Sequence, residues 1–162
     1  ENRKSFIEEL QVELSLIQKE ISRREIKIEF RCGWGEEKLS DYLEKNIKRD
    51  VAAKRTMGGP HRADMLVTLD GKPAKEFSSK GEEKQMSLTV SFGVSNLIEK
   101  KTGALPLLLI DELESGLDED ALIRISEYIK SLKNQSLITA LNHHKIKEML
   151  TAKTILPKQY NC

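Results

Sequence analysis

The sequence predicts an α/β fold, and three features of its patterning carry that reading. Apolar periodicity switches repeatedly along the C-terminal half. A helical stretch over residues 82–101 ends at Gly103, and helical spacing returns at Leu122, Ile125, Ile129 and Leu132 before an extended Ser136–Leu141. Between the two helices, the apolar run Leu105–Ile110 is too short for a buried helix and reads as a central parallel strand, with Pro106 near its start. The N-terminal part shows both periods in succession, a helical stripe and then strict alternation.

In chain order, Ile7, Leu10, Leu14, Ile17 and Ile21 repeat at alternating spacings of three and four, the stripe of an amphipathic helix packed on its own domain. Glu8, Glu9, Glu13, Lys19 and Glu20 occupy its other faces. Ile26, Ile28 and Phe30 alternate with Lys27 and Glu29 as a half-buried strand closed by Gly33-Trp34-Gly35. Residues 36–53 return to helix, with Leu39, Tyr42, Leu43 and Ile47 on one side. Met57-Gly58-Gly59-Pro60 is a loop, and Leu66–Leu69 is a strand ending in an Asp70-Gly71 turn. A short helix near 145–151 and an extended Thr154–Leu156 complete the alternation.

Composition narrows the class. The 162 residues carry 27 Lys+Arg against 26 Asp+Glu, a net charge of +1. That length fits one domain, and near-neutrality with strong apolar runs argues against wholesale disorder. No stretch approaches the roughly 18 consecutive apolar residues of a membrane-spanning helix. Any affinity for nucleic acid must come from local patches. The stretch 45–62, with Lys45, Lys48, Arg49, Lys54, Arg55 and Arg62 offset by Asp50, is locally basic, a pattern that is usually a solvated face and less often a phosphate-contacting one. Cys32 and Cys162 give neither a disulfide framework nor a metal-ligand spacing, which fits a reduced, cytoplasmic setting. The chain opens without Met or the features of a signal peptide, as expected of a fragment of something longer.

The chemistry concentrates at Leu107-Leu108-Leu109-Ile110-Asp111-Glu112. Four apolar residues followed by two acids set carboxylates past the C-terminal end of a strand, the edge where open α/β sheets bind ligands. Asp111 suits Mg²⁺, and Glu112 is placed to polarise a water for attack on a phosphoryl group. This is the Walker B arrangement of nucleotide hydrolases. Ser115-Gly116-Leu117-Asp118 follows at the position of the D-loop of ABC-type ATPases. Upstream, Ser79-Lys80-Gly81-Glu82-Glu83-Lys84 opens a helix, with Ser79 and Glu82 at capping-box spacing. A helix N-terminus approached through a small residue suits a phosphate, and this element stands where ABC ATPases carry their signature motif.

Gly59-Pro60-His61-Arg62-Ala63-Asp64, preceded by Arg55-Thr56 and followed by a strand, resembles the RecF family of bacterial DNA repair ATPases. The resemblance runs through the signature segment, the Walker B strand and the D-loop, over most of residues 45–142. More loosely, residues 1–44 resemble the end of the RecF helical arm and its return strand, leaving 45–162 as the signature/Walker B lobe of an SMC/ABC-type ATPase domain. The resemblance implies a protein that uses ATP and Mg²⁺, dimerises on ATP, binds DNA at single-strand/double-strand junctions and works with RecO and RecR to promote RecA loading. On these residues it implies Asp111 at the metal and Glu112 orienting water. Ser79 and Gly81 would close over nucleotide held by the opposite protomer, with Asp118 linking the two sites. Arg49, Lys54, Arg55 and Arg62 are the candidate DNA contacts.

The chain also departs from the family pattern. RecF proteins usually carry two aspartates at the Walker B end, where this chain has Asp111-Glu112. Glu82-Glu83 replaces the usual pair of glutamines, extra negative charge that weakens nucleotide engagement unless the carboxylates point away or meet basic partners. Thr139-Ala140 occupies the place of the expected switch histidine, which makes Thr139 a candidate cofactor-binding residue, with His143 and His144 just beyond, read as surface residues at a helix start. His61 is read as a hydrogen-bonding residue of its loop. No Gly-x-x-x-x-Gly-Lys-Ser/Thr occurs, so the cradle for the β- and γ-phosphates is absent from these residues and the isolated chain is not expected to hydrolyse ATP. Two other readings stand beside this one: a non-catalytic DNA- or protein-interaction module on an ABC-like scaffold, and a lobe of another SMC-like ATPase such as a phage-defence protein.

Overall fold

The computed structural model describes residues 2–153 and 155. The elements run α1 (Asn2–Ile21), β1 (Ile26–Arg31), α2 (Leu39–Ala52), a 3₁₀ turn (Pro60–Arg62), β2 (Asp64–Leu69), β3 (Lys72–Pro73), α3 (Ala74–Phe77), α4 (Lys80–Thr102), β4 (Leu108–Ile110), α5 (Glu119–Ser131), β5 (Ser136–Ile138) and α6 (His143–Leu150). The expected α/β alternation is present. The Thr154–Leu156 strand and Cys162 fall outside the described residues, apart from Ile155, which belongs to no element.

Two sheets form. β1, β2 and β3 make an antiparallel meander, with Ile26 opposite Leu69 and Arg31 opposite Asp64. Asp70 and Gly71, both at positive φ (48° and 76°), make the two-residue connection to β3, which explains the Asp-Gly pair there. The free edge of β1 is closed by side chains of α1. Gln18 Oε1 accepts from the Ile26 N–H and Gln11 Oε1 from the Ile28 N–H, each at 2.7 Å. In the second sheet β4 and β5 pair in parallel, Ile110 opposite Ile138.

α1 joins two cores. Leu10 and Leu14 pack with Ile26, Ile28, Leu69 and Met86, while Ile17 and Ile21 pack with Phe92, Leu108, Leu113 and Ile125. α4, capped by Ser79 and ended by Gly103 in the left-handed region, lies between them and packs along α1. The ring of Phe92 on α4 meets that of Tyr128 on α5 with centroids 5.1 Å apart.

The structure corrects several expectations. The apolar run 105–110 is not a doubly buried central strand. Only residues 108–110 pair, and side chains alternate between the core (Leu108, Ile110) and solvent (Leu109, 70% exposed), because β4 has one neighbouring strand and one covered face. β5 stops at Ile138 rather than Leu141, since Thr139 turns to bond Ile110 and Leu113 across the strand ends. Glu13, expected on a solvent face of α1, is 5% exposed and paired with Lys100 of α4. On α2 the apolar side buries nothing fully: Leu43 and Ile47 face solvent, and Tyr42 packs on the loop at Gly58.

Candidate functional site

The parallel register of β4 on β5 brings the residues that follow each strand to the same level. Thr139 donates its hydroxyl proton to Asp111 Oδ1 at 2.5 Å and accepts the backbone N–H of Glu112 at 2.8 Å. The Thr139 carbonyl accepts the Leu113 N–H at 3.1 Å. One residue after β5 therefore fixes three successive residues after β4. Glu112 sits at φ 44°, a left-handed conformation unusual for a glutamate and of the kind that collects at functional turns. Lys84, one turn into α4, donates to the Asp111 carbonyl at 2.7 Å and ties the signature helix to the strand end.

At the start of α4 the capping box is complete. Ser79 Oγ accepts from the Glu82 N–H at 3.3 Å, while Glu82 Oε2 accepts from the Ser79 N–H at 2.8 Å and from its hydroxyl at 2.9 Å. Both acidic residues of this segment meet basic partners. Glu83 pairs with Lys80 at 3.0 Å, and the other oxygen of Glu82 pairs with Arg24, from the turn between α1 and β1. The Ser79 N–H, the Arg24 guanidinium and the Ser79 hydroxyl together hold the Glu82 carboxyl below the usual carboxylate range. Arg24 also reaches Asp70 at 2.6 Å and, with the Glu25 N–H, lowers that carboxyl in the same way.

The start of α4 and the loop before α5 touch through Gly81 and Gly116. A side chain on Gly81 would place its Cβ 2.5 Å from the Gly116 carbonyl oxygen, so this approach requires glycine. Asp118 caps α5, accepting the Ala121 N–H at 2.7 Å. Ser79, Gly81, Glu82, Gly116 and Asp118 line one cleft of about 500 Å³ with Arg24. Glu114 anchors the far side of the D-loop. Burial pushes its carboxyl up, but backbone N–H groups led by that of Asn142 (2.8 Å) outweigh this and hold it below the usual range.

The candidate DNA contacts stand apart from this cleft. Arg49 lies on α2, bonded to the Tyr42 hydroxyl at 2.8 Å, and Lys54 and Arg55 are exposed just after the helix. Arg62 donates to the Met57 carbonyl at 3.3 Å within the 3₁₀ turn. That loop docks at the end of β1, where the Gly59 N–H bonds the Gly33 carbonyl at 3.0 Å. His61 bonds the Thr56 carbonyl at 3.2 Å, within its loop, and His143 and His144 stack on each other at the exposed start of α6.

Sequence reasoning placed Asp111, Glu112, Thr139, Ser79, Gly81 and Asp118, and the structure gathers them around the β4 end and the α4 start. It missed Arg24, Lys84 and Glu114. Lys84 closes the Ser79–Lys84 segment and Glu114 immediately precedes the Ser115–Asp118 stretch, so both had positional signals. Arg24 had none. Among the described residues no cluster of three or more His, Cys, Asp or Glu side chains could hold a metal by itself. The donor set nonetheless fits Mg²⁺, which takes one or two carboxylates and fills the rest of its shell with water and phosphate oxygens. Asp111, exposed and fixed through one oxygen, is such a carboxylate.

Over 140 residues, 86% of its length, the chain is 32% identical to the DNA replication and repair protein RecF of Pseudoalteromonas translucida (strain TAC 125). The chain is homologous to RecF. It is also 32% identical over 122 residues to the RecF of Thioalkalivibrio sulfidiphilus (strain HL-EbGR7) and over 116 residues to that of Coxiella burnetii (strain RSA 493 / Nine Mile phase I). These matches span 37%, 34% and 32% of the relatives, so this RecF-like chain corresponds to about a third of each. No protein-family model matches it.

Among solved structures, the recombination mediator protein RecF of the RecFOR pathway, determined as RecF-ATPrS, superposes with a TM-score of 0.69 at 25% identity. The match covers 87% of this chain and 40% of that one. The Smc head domain of Pyrococcus furiosus, solved with an extended coiled coil and bound to the C-terminal domain of ScpA, shares the fold at a TM-score of 0.50 and 21% identity. The α/β architecture is thus that of the RecF and Smc ATPase domains. No helix among the described residues is long and apolar enough to cross a membrane.

Proposed function

We propose that this chain is the signature- and Walker B-bearing part of a RecF-like ATP- and DNA-binding protein of recombinational DNA repair. In this reading residues 1–44 are the end of the arm and its return strand, and 45–162 the ATPase lobe. The protein dimerises on ATP and helps RecO and RecR load RecA at single-strand gaps, in the cytoplasm. The observation that supports it most directly is the hydroxyl clamp of Thr139 on Asp111 and Glu112, at the carboxyl edge of a parallel sheet, with the capped Ser79 helix tied to the same point by Lys84. In open α/β sheets ligands bind at this edge.

Each side chain then has a task. Asp111, oriented by Thr139, offers an oxygen to Mg²⁺, which when bound neutralises charge on the phosphoryl oxygens. Glu112, turned by its left-handed backbone, orients a water and accepts its proton. Ser79, as the cap, and Gly81 open the first turn of α4 to a phosphate held by the opposite protomer; backbone N–H groups there meet it, and the Ser79 hydroxyl donates to it on leaving Glu82 Oε2. Asp118 fixes the D-loop between them. None of these residues cradles the β-phosphate, so the isolated chain is a half-site.

Two measurements test the reading. Purified chain should show no Mg²⁺-dependent ATP hydrolysis, and robust hydrolysis that Glu112→Gln abolishes would overturn the half-site assignment. On gapped duplex DNA, binding followed by fluorescence anisotropy should weaken with salt. Neutralising Arg49, Lys54, Arg55 or Arg62 should each reduce the log–log salt slope by about 1. An unchanged slope removes that residue from the DNA surface.

A further inference from the structure

We propose that Arg24 is a positioning residue that allows an acidic signature segment to meet a phosphate. This rests on the signature-site reading above and adds to it a residue from outside every nucleotide motif. The Ser79 hydroxyl lies 2.9 Å from Glu82 Oε2. An anion approaching that hydroxyl therefore meets a carboxylate next to it, and like charges so close oppose each other strongly where water is partly excluded. Arg24 answers this in two ways. Its guanidinium pairs with Glu82 Oε1, balancing the charge, and the same contact turns Oε2 toward the Ser79 N–H and hydroxyl, so that the cap stays closed.

Arg24 is itself held from both sides. Nε donates to Asp70 at 2.6 Å, and Asp70 is fixed by the Glu25 N–H at 2.7 Å and by its place in the tight turn into β3. The cleft beside Ser79 is lined by four cations, Arg23, Arg24, Lys80 and Arg124, and three acids, Glu82, Asp118 and Asp120. Arg23 and Arg124 both pair with Asp120, and Lys80 pairs with Glu83. Arg24 alone among these cations contacts the acid that touches Ser79. Without it the lining carries equal numbers of each sign, and the carboxylate beside the serine is unbalanced.

The test uses the ¹⁵N-labelled chain titrated with inorganic triphosphate at low ionic strength, read from the amide shifts of Ser79, Lys80 and Gly81, with thermal melts alongside. Saturable shifts are expected for the unmodified chain. Arg24→Ala should weaken binding about tenfold, and adding Glu82→Gln to that variant should restore it to within about twofold, since a glutamine keeps the cap without the charge. The tenfold gap should shrink as salt is raised. Should Arg24→Ala alone lose its dispersed spectrum, Arg24→Gln takes its place in the same comparison, with the same loss of about tenfold and the same rescue by Glu82→Gln expected. Equal binding by Arg24→Ala, or a double variant no better than the single, overturns the inference and leaves the signature reading standing. No saturable shift in the unmodified chain overturns both.

Discussion

The two sheets of this chain treat their exposed sides in opposite ways. The antiparallel sheet is closed: β1 has its free edge bonded by Gln11 and Gln18, and its inner face sits on α1. Among the described residues the parallel sheet is bare on one side, with Leu107 (54% exposed), Leu109 (70%) and Leu137 (57%) facing solvent, while Leu108 and Ile110 are in the core. Parallel sheets occur almost only with both faces covered, and contiguous apolar patches of this kind mark contact surfaces. The antiparallel sheet thus has its β1 edge and inner face occupied, whereas among the described residues the sheet carrying Asp111 and Glu112 is covered on one face. This fits a segment that matches only about a third of its RecF relatives.

The sharpest way to break that comparison is to truncate one leucine in the core just past β4 and one on the bare face of the strand. Leu113→Ala, in a fully buried position, should cost about 2–5 kcal/mol in a denaturant melt. Leu109→Ala, on the bare face, should stay within about 0.5 kcal/mol of the unmodified chain. A large loss at Leu109 would mean that the face is covered in solution. Next in size is the sealed edge. Gln11→Ala removes the acceptor for the Ile28 N–H and should cost about 1–2 kcal/mol, with faster hydrogen exchange at Ile28 as its local signature. Unchanged exchange would show that the edge needs no glutamine.

The smallest effect is one of pH. Glu82 and Asp70 both titrate lower in the folded chain than in the unfolded one. The stability they add is therefore fully present above the unfolded carboxylate pKa of about 4 and is lost as pH falls through their folded values. Melting temperature should fall across that acid window, and Glu82→Gln should flatten part of the fall. An identical acid profile in that variant would remove Glu82 from the linkage. Both carboxylates are partly exposed, so screening keeps this contribution modest.

Much of this architecture was legible because it is periodic. The stripe on α1, the alternation of β1, the Asp70-Gly71 turn and the Ser79–Glu82 capping box are local patterns, and each appears where the spacing places it. The placement of Asp111-Glu112 and of Ser115–Asp118 past a strand end was legible because they follow one apolar run in a fixed order. What escaped is what meets only through tertiary space. Glu13 lies between stripe positions of α1 and looks solvent-facing until α4 delivers Lys100 to it. Gln11 and Gln18 are seven residues apart on a helix, and nothing in that spacing announces a strand edge. Arg24 sits in a two-arginine turn, and its partners are 46 and 58 residues away. The extent of β4 was overread because an apolar run records composition, not how many neighbours a strand will find.

The backbone contact between Gly81 and Gly116 has a mechanical consequence. Side chains that meet can absorb small shifts by changing rotamer, but two bare backbones cannot. Any displacement at the start of α4 is handed directly to the loop beginning α5. α4 has 23 residues and so is about 35 Å long, a stiff lever whose tip moves 1 Å when the whole rod tilts by about 2°. Because α1 lies along much of that rod, a load applied to α1 would reach the Ser79 hydroxyl and the Asp118 turn in the same stroke.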